Sequence, residues 1–255
     1  MYLHLGQATA QALTRVQDSR LAPFRSICRL VVGSYANSTE SVSTGFLIGR
    51  HHVLTCAHNI YPLRNPKTAR IAVYAGQNGP DEYWPPILAN GWAVSPGWRG
   101  QDCRTFGEDF GIIRLAQPVD RGFLTLSLFD PATLTGTTAH LAGYPGDRRR
   151  GARIMHRSSG QITGAIHVRS CTLDSTAGSV LPAITQTTPL VAHDMDTEPS
   201  MSGAPVWIER EGSVLVVAVH TGAVDGGPKT AVLLGDGRRA RIAQWITRAL
   251  PPLRK

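Results

Sequence analysis

His58, Asp109 and Ser202 are the residues whose types and settings suit acyl transfer. A serine hydroxyl is a weak nucleophile at neutral pH and needs a base within hydrogen-bond reach. Histidine suits that task because its unperturbed pKa is about 6.5. A carboxylate on the other ring nitrogen holds the working tautomer. The oxyanion formed by attack needs fixed backbone N–H donors, which a tight turn at the nucleophile supplies. Each part has a fitting local sequence. The apolar strand in Val53-Leu54-Thr55-Cys56-Ala57-His58 ends in small residues and then the histidine. Asp109 stands at the mouth of the apolar run Phe110-Gly111-Ile112-Ile113-Arg114-Leu115. Ser202 precedes Gly203 in a turn that opens a strand with Ala204-Pro205-Val206. Any one of these alone is more often structural; a lone histidine, edge carboxylate or Ser-Gly turn is common.

Taken together, the three segments resemble the signatures of trypsin-like serine proteases. Thr55-Cys56-Ala57-His58 is similar to the family's Thr-Ala-Ala-His strand end. Asp109 precedes its strand as the aspartate of Asp-Ile-Ala-Leu-Ile does, with Glu108 and Asp102 weaker candidates. Ser202-Gly203-Ala204-Pro205-Val206 is similar to the end of Gly-x-Ser-Gly-x-Pro-Val. The order His, Asp, Ser and the gaps of 51 and 93 residues are also the family's. The resemblance covers roughly residues 26–250. It implies a serine endopeptidase working through an acyl-enzyme, with His58 as base, Asp109 orienting it and Ser202 as nucleophile. The oxyanion hole would be the backbone N–H groups of Ser200 and Ser202.

Further segments resemble the V8-like glutamyl endopeptidases. Gly143-Tyr144-Pro145-Gly146-Asp147 is similar to their Gly-Tyr-Pro turn, and Gly160-Gln161-Ile162-Thr163 to the strand after it. Val219-His220-Thr221-Gly222 is similar to the segment lining their specificity pocket. The resemblance implies that His220 and Thr197, five residues before Ser202, grip an acidic side chain at P1. A hydroxyl and a protonatable imidazole satisfy a buried carboxylate without a permanent charge in the empty pocket. Thr221 and Ala223 would pair with the extended substrate backbone.

Three positions depart from the pattern. Ser200 stands where the family has glycine, and its β-carbon disfavours a glycine-like backbone; a distorted oxyanion hole would leave a weak enzyme or a protease-fold binding protein. Met201 replaces the aspartate that chymotrypsin-type zymogens use on activation. Cys56 lies before the histidine, where the family has its cysteine after it; a disulfide to Cys28 is one pairing among several.

These residues need a β framework to meet. Short runs rich in β-formers follow one another from Phe24, among them Ile27–Val32, Gly45–Ile48, His52–Thr55, Ala69–Tyr74, Phe110–Leu115, Thr137–Ala142, Gly160–Ile166, Ala183–Thr187, Ala204–Ile208, Leu215–His220 and Thr230–Leu234. Gly, Pro, Asn and Asp separate them, which indicates a barrel or sandwich. Residues 7–19 are expected to form a short helix. Ile242, Trp245, Ile246, Ala249 and Leu250 recur at helical spacing until Pro251-Pro252 stops them. With the family resemblance, the expected fold is all-β: two six-stranded antiparallel barrels and a C-terminal α-helix. The expected units are an arm at 1–25, a barrel at 26–130 and a second barrel with the helix at 131–255, divided near Asp130–Gly136.

The 255 residues carry 26 Lys and Arg against 18 Asp and Glu, a net charge of +8, which favours anionic partners and substrates. The densest basic run, Arg148-Arg149-Arg150, reads as a solvated loop. No helix-turn-helix, zinc-finger or RNA-recognition pattern turns that charge into a specific nucleic-acid site, so a basic nucleic-acid or membrane-surface binder is the weaker reading. The four cysteines have no metal-site spacing, and no metal or other cofactor is implied. No run reaches the roughly 18 apolar residues of a membrane helix. The expected partners are protein or peptide substrates, acidic ones favoured, with the enzyme a monomer. Export from a bacterium is expected by the resemblance, although residues 1–20 show no secretory signal.

Overall fold

The computed structural model describes residues 12–34, 37–60, 69–80, 85–100, 102–146, 153–166, 190–223, 227–248 and 250. The strands are β1 (Thr14–Arg15), β2 (Ile27–Ser34), β3 (Asn37–Gly49), β4 (His52–Thr55), β5 (Ala69–Ala75), β6 (Ile87–Val94), β7 (Gly111–Leu115), β8 (Thr125–Leu126), β9 (Thr138–Gly143), β10 (His156–Ile166), β11 (Leu190–His193), β12 (Pro205–Arg210), β13 (Ser213–Ala223) and β14 (Lys229–Leu233). The helices are α1 (Ala57–Ile60), α2 (Pro131–Leu134) and α3 (Asp236–Thr247). Strands β2 to β7 close an antiparallel barrel in the order β2-β3-β4-β7-β6-β5. A second six-stranded barrel, β10-β11-β14-β13-β12-β9, closes because β9 also pairs with β10. β1 joins it at β10 and β8 at β13. The fold is therefore the expected pair of barrels with a C-terminal helix. Among the described residues no helix is long and apolar enough to cross a membrane.

The seam between the barrels explains why several strands read as unbroken apolar runs. Successive strand residues point to opposite faces. Leu47, Val53 and Ile113 fill the interior of the first barrel. Their neighbours Phe46, Leu54 and Ile112 face outward, yet pack with Trp207, Val216 and Val219 of the second barrel. A strand in the seam thus buries both faces, and each fully buried side chain of this size contributes about 1.5–3 kcal/mol. Met201, Val206 and Val217 fill the second barrel. Antiparallel register sets Thr55 at the end of β4 opposite Gly111 at the start of β7. His58, just beyond β4, and Asp109, just before β7, must then emerge together although they are 51 positions apart in sequence.

Helix α3 braces the same place. Arg238 is 6% exposed. Its guanidinium donates to the Leu233 carbonyl at 2.5 Å and the Gly107 carbonyl at 2.6 Å. Burial lowers its pKa to about 10, still well above neutrality, so it stays charged. Trp245 packs on Phe110 with ring centroids 5.5 Å apart. Residues on both sides of Asp109 are therefore pinned by one helix.

Some expectations need correction. Thr14–Arg15 is a strand paired with Arg157 and His156, not part of a helix over 7–19; residues 7–11 of that stretch lie outside the described residues. Short isolated helices are marginal, and the backbone of β10 offers this segment a ladder. On α3, Ile242 and Trp245 are buried, but Ile246 is 41% exposed, so the apolar face is narrower than its spacing suggests. The Asp130–Gly136 stretch includes α2, capped by Asp130 and anchored by buried Leu134. Cys28 and Cys56 are buried free thiols, so no bridge joins them. Ala183–Thr187, Arg148-Arg149-Arg150 and Pro251-Pro252 lie outside the described residues.

Arg238→Ala would strip the charged donor from two buried carbonyls, leaving Leu233 with only the Gly235 N–H and Gly107 with no other donor among the described residues. The expected loss is about 2–4 kcal/mol of folding stability, seen as a lower urea midpoint at unchanged slope.

Candidate active site

His58 Nδ1 lies 2.6 Å from Asp109 Oδ2, and the His58 backbone N–H donates to Asp109 Oδ1 at 2.9 Å. One residue thus occupies both oxygens of a carboxylate that is only 3% exposed. An ionised carboxylate only accepts, so the ring proton sits on Nδ1 and Nε2 keeps its basic lone pair. Burial pulls the His58 pKa down, but the Asp109 hydrogen bond and charge outweigh it and leave the imidazole above its usual range.

The serine turn comes from the second barrel. Ser200 has φ +73° and Gly203 φ +90°. Ser200 therefore does take the left-handed, glycine-like conformation its β-carbon disfavours. At Gly203 a β-carbon would stand 2.0 Å from the Thr44 carbonyl oxygen and 2.3 Å from Thr55 Oγ1, so only glycine fits. The turn is held by Met201 N–H to the Glu198 carbonyl, Ala204 N–H to the Met201 carbonyl and Gly203 N–H to the His220 carbonyl, at 3.2, 3.0 and 2.7 Å. Among the described residues, neither the Ser200 nor the Ser202 N–H has an acceptor. Met201, fully buried in the second barrel's core, anchors the turn from below.

The Ser202 hydroxyl donates to the Thr221 carbonyl at 2.9 Å rather than to His58. The barrels are tied beneath it by Asn59, whose Nδ2 donates to the Ser202 carbonyl and to Thr55 Oγ1, both at 2.9 Å. A cleft of about 300 Å³ runs past these groups, lined by His58, Asp109, Trp98, Phe106, Thr221 and Ala223.

His220 does not line that cleft; it is 1% exposed, with Nδ1 3.1 Å from Nε2 of the equally buried His193. Burial, above all, pushes His220 down to about 4 and His193 to about 2, so both are neutral near pH 7. Thr197 is half-buried. Cys56, His58 and Asp109 bring ligand-type atoms within 4.8 Å of one another. This is a poor metal site: the histidine and carboxylate already share a short hydrogen bond, and the Cys56 thiol donates to the His220 carbonyl at 3.1 Å. Burial first, and then Asp109, also hold that thiol well above its usual pKa.

Sequence reasoning misses His193, Asn59 and Thr44. Asn59 directly follows His58, a visible cue; His193 and Thr44 belong to no motif and matter only through contacts made on folding.

A double β-barrel with a His–Asp pair from one barrel facing a serine turn of the other defines a chymotrypsin-like peptidase fold. The trypsin-like peptidase domain family matches residues 43–219, and the chain belongs to that family. It is 29% identical to the glutamyl endopeptidase of Bacillus licheniformis over 222 residues, 84% of this chain and 60% of that protein. The chain thus spans about 60% of the length of that curated relative. A solved Glu endopeptidase in complex with MPD is similar at TM-score 0.69 and 21% identity, covering 92% of this chain and 97% of that one. A scabies mite inactivated protease paralogue is similar at TM-score 0.65 and 16% identity, covering 92% and 100%. At these identities the two structures establish the fold alone.

Asp109→Asn removes the charge that raises the His58 pKa and leaves the burial that lowers it. The imidazole should then titrate below about 6.5, against above it in the wild type, read from the ring Cε1–H shift by NMR.

Proposed function

We propose that the protein is a serine endopeptidase that cleaves peptide bonds through an acyl-enzyme. The observation that carries this reading is the 2.6 Å His58–Asp109 pair set opposite a serine turn whose Ser200 and Ser202 N–H groups have no acceptor among the described residues. In the proposed reaction His58 Nε2 takes the Ser202 hydroxyl proton as Oγ attacks the scissile carbonyl carbon. Negative charge gathers on the carbonyl oxygen, where the Ser200 and Ser202 N–H groups meet it. His58 passes its proton to the leaving amine as the C–N bond breaks. Water, deprotonated by the same imidazole, then frees the acyl group. Asp109 stays ionised and holds the ring.

The resting hydrogen bond from Ser202 to the Thr221 carbonyl fits this scheme. An extended substrate paired with Thr221 and Ala223 competes for that carbonyl and releases the hydroxyl toward His58. The same hydrogen bond favours a second reading, a protease-fold binding protein in which the hydroxyl never reaches the imidazole.

We further propose a preference for Glu, or Asp, at P1, with Thr197 and His220 as specificity residues. The net charge of +8 and the name of the Bacillus licheniformis relative support it. So does the buried imidazole pair, which is neutral when empty and can take a proton as a carboxylate arrives. The His220 ring is buried, next in sequence to the cleft-lining Thr221, so its proposed contribution is indirect.

A fluorophosphonate should label the wild type and leave Ser202→Ala unlabelled; equal labelling would remove Ser202 as nucleophile, and no labelling would favour the binding protein. In a peptide library, cleavage after Arg or Phe rather than Glu would reject the roles of Thr197 and His220. The base must be neutral to act, and its pKa is raised. Activity should therefore fall on acidification with a midpoint above about 6.5, and Asp109→Asn should lower that midpoint while cutting kcat by about 10⁴.

A further inference from the structure

We propose that Thr44 is a positioning residue for the oxyanion hole, clamping the left-handed peptide at Ser200 so that a residue other than glycine can form it. The inference rests on the peptidase reading above. Ser200 has φ +73°, a conformation that a β-carbon disfavours and that persists only where surrounding contacts enforce it. Those contacts converge on Thr44, which is fully buried on β3 of the first barrel. Its Oγ1 donates to the Ser200 carbonyl at 3.0 Å and accepts the Tyr144 N–H at 3.0 Å. Its backbone N–H donates to the Ser202 carbonyl at 3.1 Å. One residue therefore fixes the carbonyl following each of the two N–H donors, and its hydroxyl uses its proton and a lone pair in doing so.

The Tyr144 bond extends the clamp. It holds the Gly143–Gly146 turn against Thr44, and in that turn the Gly146 N–H donates to the Pro199 carbonyl at 2.8 Å. The Pro199 carbonyl shares its peptide plane with the Ser200 N–H. Pulling the carbonyl toward Gly146 turns the N–H the other way. Gly146 also leaves room for the serine: a β-carbon there would meet Ser200 Oγ at 2.4 Å. Valine at 44 would keep the shape of threonine and lose both hydroxyl bonds. Serine would keep the bonds.

The test uses the full chain, with competent sites counted by fluorophosphonate titration, on a peptide the wild type cleaves. Thr44→Val should lose about 10- to 100-fold in kcat per titrated site with KM changed less than about 3-fold, the pattern of an interaction made in the transition state. Thr44→Ser should stay within about 3-fold of wild type. Adding Ser200→Gly to Thr44→Val should recover at least about 5-fold, because glycine adopts positive φ without a clamp. If Thr44→Val does not fold, Gly146→Ala supplies the second reading and should lower kcat while sparing KM. Wild-type kcat in folded Thr44→Val, equal losses in the serine and valine variants, or wild-type kcat in Gly146→Ala would each overturn the clamp. A wild type that neither labels nor cleaves any peptide overturns the peptidase reading itself, a different result from a labelled enzyme indifferent to residue 44.

Discussion

A buried carboxylate must find partners or give up its charge, and Asp109 finds both of its partners in His58. That constraint organises the site. The backbone N–H fixes where the carboxylate sits, and the ring N–H fixes which face of the imidazole is left to work. Neither bond survives a shift of one strand past the other. The register of β4 on β7, the brace from Arg238 to Gly107 and the packing of Trp245 on Phe110 therefore bear on one hydrogen-bonded pair. The last helix of the chain lies far in sequence from the histidine, yet it holds the segment on which the histidine depends.

The second half of the site is built on a different principle. Apart from the proposed Ser202 nucleophile, the serine turn is a backbone device: the atoms it offers to an oxyanion are amides, and the other side chains mainly hold it in place. Met201 roots it in one barrel, while Thr44 and Asn59 bind it to the other. The unfavourable backbone at Ser200 is offset by hydrogen bonds that cross the seam. The two barrels thus supply separate parts of the proposed chemistry and also enforce each other's geometry, since the imidazole from one and the amides from the other share a single interface.

Much of this was legible from residue order. Fully buried strands such as Val53-Leu54 and Ile112-Ile113 announce themselves as apolar runs, and turn residues mark their ends. Strands β6 and β11 escaped notice: the Asn90-Gly91 pair interrupts the first, and the second is only four residues long. Thr14–Arg15 reads as helix because local spacing carries no record of the β10 ladder beside it. The motif offers His220 as a specificity residue, but only folding sets its ring beside His193. The two strands are lost to a local interruption and to shortness, whereas the helix reading fails because the partner strand is distant in sequence.

Residue types and order by themselves determined an all-β fold class and three groups suited to acyl transfer, because periodicity and short turn signatures are local properties; the two-barrel plan followed from the resemblance to trypsin-like proteases. Only the tertiary structure decided that Asp109 pairs with His58 through both oxygens, that the Ser202 hydroxyl rests on the Thr221 carbonyl, and that Ser200 can hold a glycine-like backbone. Those outcomes depend on hydrogen bonds between barrels, where a few tenths of an ångström and a choice of peptide orientation matter, and no spacing along the chain encodes them.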